Sequence, residues 1–107
     1  MSQLPGGWTP LHIVCASQQL PASDICAQIK SHVQNGSDVN VGNNYDVTPL
    51  MIAAVMGHVD VVKYLVQELH ADIHLQNRDG QTAYDLLRAN KHVIDDEAYL
   101  KISEVLN

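Results

Sequence analysis

Phenylalanine is missing from this chain, and Trp8 is its single tryptophan. Aromatic side chains make up only 5% of the 107 residues, although 46% are hydrophobic. The core is therefore aliphatic, built from Leu, Ile, Val and Ala, which implies small residues packed at close spacing. Cationic residues are scarce as well: 6 Lys and Arg stand against 12 Asp and Glu, for a net charge of −6. A nucleic-acid partner would need clustered Lys and Arg to meet its phosphates, so this balance argues against one and disfavours an anionic membrane surface. Two cysteines occur, Cys15 and Cys26, both in apolar-periodic segments. They read as small buried hydrophobes in the reduced state, with a disulfide or redox pair as the alternative. No apolar run approaches the roughly 20 residues that cross a bilayer. No secretory signal precedes Asn35-Gly36-Ser37, which therefore reads as a turn and not as a glycosylation acceptor. A cytoplasmic protein is expected, although export by a route without a cleavable signal would leave no trace.

The length suits one small domain that buries roughly 60–70% of its unfolded surface. What the chain does contain is repetition. Thr9-Pro10-Leu11-His12 is echoed by Thr48-Pro49-Leu50-Met51 and, more weakly, by Thr82-Ala83-Tyr84-Asp85, at spacings of 39 and 34 residues. The connectors repeat too: Asp38 precedes Thr48 by the same distance as Asp72 precedes Thr82. Threonine is a good helix N-cap, and proline is tolerated at the first helical position, where its missing N–H would be unpaired. Each Thr should thus open a short helix. In the second unit, Leu50, Ile52, Ala53, Ala54 and Val55 supply a packing surface, and Gly57 should end the helix in a left-handed backbone conformation. Asp60 can cap a return helix whose apolar stripe is Val61, Val62, Leu65, Val66 and Leu69. Asp79-Gly80 marks a tight turn.

These residues resemble the ankyrin repeat, a unit of about 33 residues with the signature T-P-L-H-x-A. Thr9 to His12 match its first four positions, and Gly57-His58 match the turn between its two helices. Val61 to Leu65 match its second helix. Asp38-Val39-Asn40 and Ala71-Asp72-Ile73 match the approach to its hairpin. The resemblance implies an all-α repeat (α-solenoid): helix-turn-helix pairs joined by β-hairpin-like loops, forming a single domain over 1–107 with repeats at about 6–43, 44–77 and 78–107. The departures are local. Unit one is six residues long in excess, part in a loop around Gln18 to Ser23 and part in a second helix at about Asp24 to Gln34, on the stripe Ile25, Ile29 and Val33. Unit two carries one extra residue within Glu68-Leu69-His70, and His70 stands where the family usually has Gly. Asp46 holds the hairpin place of Gly7 and Gly80, which Asp tolerates. Unit three has a first helix at about Ala83 to Asn90. Its last helix opens on Asp95-Asp96-Glu97, whose charge complements the helix dipole, and turns Ala98, Ile102, Val105 and Leu106 inward as a C-terminal cap.

The sequence presents no assembled chemistry. Six histidines invite a metal reading, but no zinc spacing pairs them with the cysteines. His12 and His58 match family positions that make backbone or inter-repeat hydrogen bonds. No nucleophile, base and orienting group converge, and no glycine-rich phosphate loop is present. No enzyme activity, cofactor or metal is expected.

In ankyrin proteins the hairpin tips and first helices line a concave groove. Carried over position by position, the resemblance implies a partner-binding surface of Trp8, Asn44, Tyr45, Val47, Val55, Met56, Arg78, Asp79 and Gln81. Over the first two units it is apolar; over the third it is polar. Exposed aromatics and Met are enriched at protein contacts. A protein or peptide partner, bound by a monomer, is expected. The alternatives are a fragment or structural subunit of a larger scaffold or secreted effector. Trp8 either touches the partner or folds over the open N-terminal end. Asn40 sits at the family position that some asparaginyl hydroxylases modify.

Overall fold

A computed structural model describes residues 5–106. Among these residues six α-helices follow one another: α1 (Pro10–Cys15), α2 (Ala22–Gln34), α3 (Pro49–Val55), α4 (Val59–Lys63), α5 (Ala83–Ala89) and α6 (Asp96–Leu106). Short 3₁₀ turns stand at Pro5–Gly7 and Lys91–Val93. No strand forms among the described residues. The helices lie in two layers. α1, α3 and α5 sit side by side in one, and α2, α4 and α6 back them in the other. The chain therefore folds as three stacked helix pairs.

Each short first helix opens on its threonine. Thr9, Thr48 and Thr82 all hold extended backbone, with φ between −106° and −84° and ψ between 163° and 173°. The Thr48 hydroxyl accepts the Met51 N–H at 3.3 Å, and that of Thr82 accepts the Asp85 N–H at 3.2 Å. Such a bond satisfies one of the N–H groups that a helix start leaves unpaired. The middle helix is the packing hub: Pro49 to Ala54 are all buried. Ala53 and Ala54 lack long side chains and are fully enclosed, so α1 and α5 approach α3 closely from either side. The outer layer contributes Ile25, Ile29, Val61, Val62, Leu65 and Ile102, each without exposed surface. Full burial of such a side chain is worth roughly 1.5–3 kcal/mol.

The extra residue of unit two is absorbed inside the second helix. After Lys63 the helix widens to a π turn over Tyr64–Glu68, and the Leu69 N–H reaches back five residues to the Tyr64 carbonyl at 3.1 Å. The helix then ends through His70 at φ 56°. A π turn holds one residue more than an α turn between the same anchors, so Leu65 stays in the core and Ala71 still reaches its connector. Gly57 adopts φ 74° as expected. Two boundaries differ from the sequence reading. α2 begins at Ala22, directly after Pro21, and not at Asp24. Asp60 lies within the first turn of α4, whose N-cap is His58. Its carboxylate still favours the positive end of the helix dipole.

Candidate interaction surface

The connectors end in three tips that form a row. Within the second tip, the buried Asn43 side chain accepts the N–H groups of Tyr45 at 2.8 Å and Val47 at 3.0 Å. Within the third, Asn77 accepts those of Asp79 at 2.9 Å and Gln81 at 3.0 Å. The two asparagines thus build the same turn in the same way, with Asp46 at φ 60° and Gly80 at φ 76° closing it. One backbone hydrogen bond ties each tip to the next: Asn44 N–H to Gly6 C=O at 2.8 Å, and Arg78 N–H to Tyr45 C=O at 3.0 Å. Gly7 is constrained by this arrangement, because it holds φ 74° and a Cβ there would meet the Asn44 backbone nitrogen at 3.0 Å.

Imidazoles knit the units together. The Thr9 N–H donates to His12 Nδ1 at 3.0 Å, which leaves Nε2 to carry the proton. Nε2 then donates to the Val47 carbonyl of the next unit at 2.7 Å. Burial holds the His12 pKa below its ordinary value of 6.5, against the opposing pull of hydrogen bonds to the Val47 and Val41 backbone. A neutral ring is what this bonding needs, since Nδ1 must accept. His58 Nε2 makes a second link, 2.7 Å from the Ser17 carbonyl. In the connector layer, Asn40 Oδ1 accepts the Asp72 N–H at 2.9 Å.

The side chains singled out in the sequence fall into two groups. Trp8, Asn44, Tyr45, Val47, Arg78, Asp79 and Gln81 lie along the row of tips. Trp8 is half-buried, its ring centroid 5.7 Å from that of His12. Trp8 and Tyr45 both flank Gly6, whose Cβ position is 3.4 Å from Trp8 Cδ1 and 4.0 Å from Tyr45 Cε2. Tyr45 keeps 62% of its surface exposed. Asn44, Arg78 and Asp79 are exposed; Val47 and Gln81 are half-buried. The Gln81 side chain is engaged within its own tip, accepting from Asn77 Nδ2 at 3.2 Å. Val55 and Met56, both half-buried, stand at the other end of α3, one short helix or ~10 Å from Thr48. Asn43 and Asn77 went unread in the sequence, although each stands five positions before its threonine.

Among the described residues, no three His, Cys, Asp or Glu side chains gather as metal ligands would. Cys15 is enclosed; burial, reinforced by nearby Cys26, pushes its thiol up to about 12. Both cysteines are free.

A family description, ankyrin repeats in three copies, matches residues 1–77. The chain belongs to the ankyrin repeat family. It is similar to the human ankyrin repeat domain-containing protein SOWAHB, at 31% identity over 84 residues, 78% of this chain and 11% of that protein. It is also similar to the rat ankyrin repeat and SAM domain-containing protein 6, at 33% identity over 82 residues, 76% of this chain and 8% of that protein. The chain therefore spans about a tenth of the relatives it matches. The third pair of this ankyrin chain lies beyond the matched residues, yet Thr82 opens α5 as Thr48 opens α3. Ankyrin repeats are in general protein–protein interaction modules and typically not enzymes. No helix among the described residues is long and apolar enough to cross a membrane.

Proposed function

We propose that this chain is a binding module that takes a protein or peptide segment along its tips and first helices. The observation that carries this reading is the placement of both Trp8 and Tyr45 beside Gly6, with Tyr45 left largely exposed. Amphipathic aromatics of this kind supply much of the energy at protein contacts. In this reading Trp8 and Tyr45 anchor the partner, and Val47, Val55 and Met56 extend the apolar track. Arg78, Asp79 and Gln81 set its direction at the polar third tip, and Asn44 adds a polar contact beside Tyr45. Residue-scale rigidity supports it: the tips are tied by backbone bonds, so little order is lost on binding.

A second reading is a unit within a larger scaffold, favoured by the small share of each relative that the chain covers. The experiment is affinity capture and titration with the intact chain, beside Trp8→Ala and Tyr45→Ala variants checked for folding by circular dichroism. Loss of about tenfold or more in affinity in folded variants is expected, equivalent to 1.4 kcal/mol. Undiminished affinity in both would remove these residues from the surface.

A further inference from the structure

Cations are distributed unevenly along the row of tips. No Lys or Arg precedes Lys30, and none lies between Lys30 and Lys63. Those two stand on the outer helices α2 and α4. The first two tips and their short helices, which carry Trp8, Tyr45, Val47 and Met56, therefore contain no Lys or Arg. Asp46 follows Tyr45 in the second tip, and Asp79 stands in the third, both exposed. Other acids of this layer are engaged by their own backbone. Asp38 accepts the Asn40 N–H at 2.9 Å, Asp72 that of His74 at 2.8 Å, and Asp85 that of Thr82 at 3.1 Å. Among the described residues, neither a hydrogen bond nor an ion pair engages the Asp46 carboxylate, and the ion pair formed is Lys101 with Glu97 on α6.

The tyrosines differ in the same way. Arg88 stands 5.8 Å from the centre of the Tyr84 ring, and Lys91 5.3 Å from that of Tyr99. Each of those half-buried rings carries a cation of its own chain. Tyr45 is the most exposed aromatic side chain described, and no cation among the described residues is seated on it. An open ring thus stands next to an uncompensated carboxylate.

We infer that the tips take a segment bearing an arginine, whose guanidinium lies on the Tyr45 ring and meets the Asp46 carboxylate. This rests on the binding surface proposed above and adds the chemistry of its occupant. A guanidinium can stack on a ring and fork onto a carboxylate at once, whereas an ammonium is a compact point charge. Trp8, on the far side of Gly6, receives an apolar neighbour of that arginine. Arg78, exposed on the third tip, repels a cation there and so directs it to the aromatic end. The net charge of −6 draws a cationic segment toward the chain from a distance.

Selection of random short peptides on the intact chain tests this, followed by titration of the selected peptides. Arginine should be enriched over the unselected library. Trp8→Ala and Tyr45→Ala should each weaken binding about tenfold or more. Asp46→Asn keeps the shape of the side chain and tolerates the left-handed backbone; it should weaken binding about fivefold. Replacing the peptide arginine by lysine should also weaken binding, and replacing it by glutamine should cost less against Asp46→Asn than against the parent chain. Asp24→Asn removes the same charge from α2 and should leave affinity unchanged, which separates a local contact from net attraction. Circular dichroism checks the fold of each variant. Peptides without arginine enrichment, or indifferent to Asp46→Asn, overturn the inference; if Trp8→Ala and Tyr45→Ala still weaken them, the tip surface itself stands. Peptides indifferent to all three variants overturn both, and a selection that yields no binder overturns the inference.

Discussion

His12 and Met51 occupy the same place in consecutive units, three residues after the threonine that opens each helix, and they do different work. His12 accepts the Thr9 N–H through one ring nitrogen and reaches across to Val47 with the other. Met51 offers its sulfur to the Thr48 N–H at 3.5 Å, a weak acceptor with nothing left to donate. The third unit uses a carboxylate, with Asp85 accepting the Thr82 N–H at 3.1 Å. Three chemistries satisfy the same local cap, but only the imidazole also ties its helix to the following tip. The local helix start and the cohesion between units are therefore separable, and the first two units are joined by a bond that the second and third lack at that position.

The largest effect should come from His12→Ala. It removes a fully buried ring, frees the Val47 carbonyl of its side-chain donor and leaves the Thr9 N–H unpaired. Chemical denaturation should show a loss of about 3 kcal/mol; a variant as stable as the parent would mean the bridge contributes little. The corresponding Met51→Ala should cost about 2–3 kcal/mol, from lost apolar burial and the cavity left behind, with little added by the weak sulfur acceptor.

Acid should sharpen the same contrast. His12 has its folded pKa depressed below 6.5 by burial. Between the two values the unfolded chain binds the proton and the folded one does not, so stability rises with pH there. The contribution is complete above pH 6.5 and falls away as pH drops through the lower folded value. Thermal unfolding across pH 7 to 5 should therefore show destabilisation that His12→Ala lessens; an unaltered pH slope in that variant would remove His12 as its source.

A smaller change is expected from the caps themselves. Thr82→Ala and Thr48→Ala should each cost about 1 kcal/mol. The smallest should be a gain. Met51→His would place a donor toward the third tip as His12 does toward the second, for about 0.5–1 kcal/mol of added stability in the same denaturation assay. A loss instead would mean the pocket around Met51 is shaped for a thioether and not for a ring.

Much of this architecture was readable from residue types at fixed offsets. Three Thr openings, the Gly57 turn and the Asp46 position in the left-handed region all follow from local backbone preferences, and local preferences are written in order along the chain. The inter-unit role of His12 and His58 came through the family resemblance. Other features were visible only as anomalies. The surplus residue near Glu68 could be counted, but whether it would form a bulge, a longer loop or a wider helical turn depended on keeping Leu65 buried and Ala71 in reach. Asp60 looked like a cap because Asp caps well, yet the cap lies two residues earlier, at His58, whose ring is pinned to the Ser17 carbonyl.

For the candidate surface, position along the tips was legible, but proximity was not. Trp8 and Tyr45 are 37 residues apart, and both stand beside Gly6 where the Asn44 N–H bonds the Gly6 carbonyl. By itself the sequence determined the three Thr-led helix starts and which residues stand on the tips, because those rest on short-range sterics and hydrogen bonding. Only the tertiary structure decided which side chains meet across units and which apolar residues, such as Tyr45, Val93 and Leu100, remain exposed. Both depend on how one helix pair lies against the next, and no local preference encodes that.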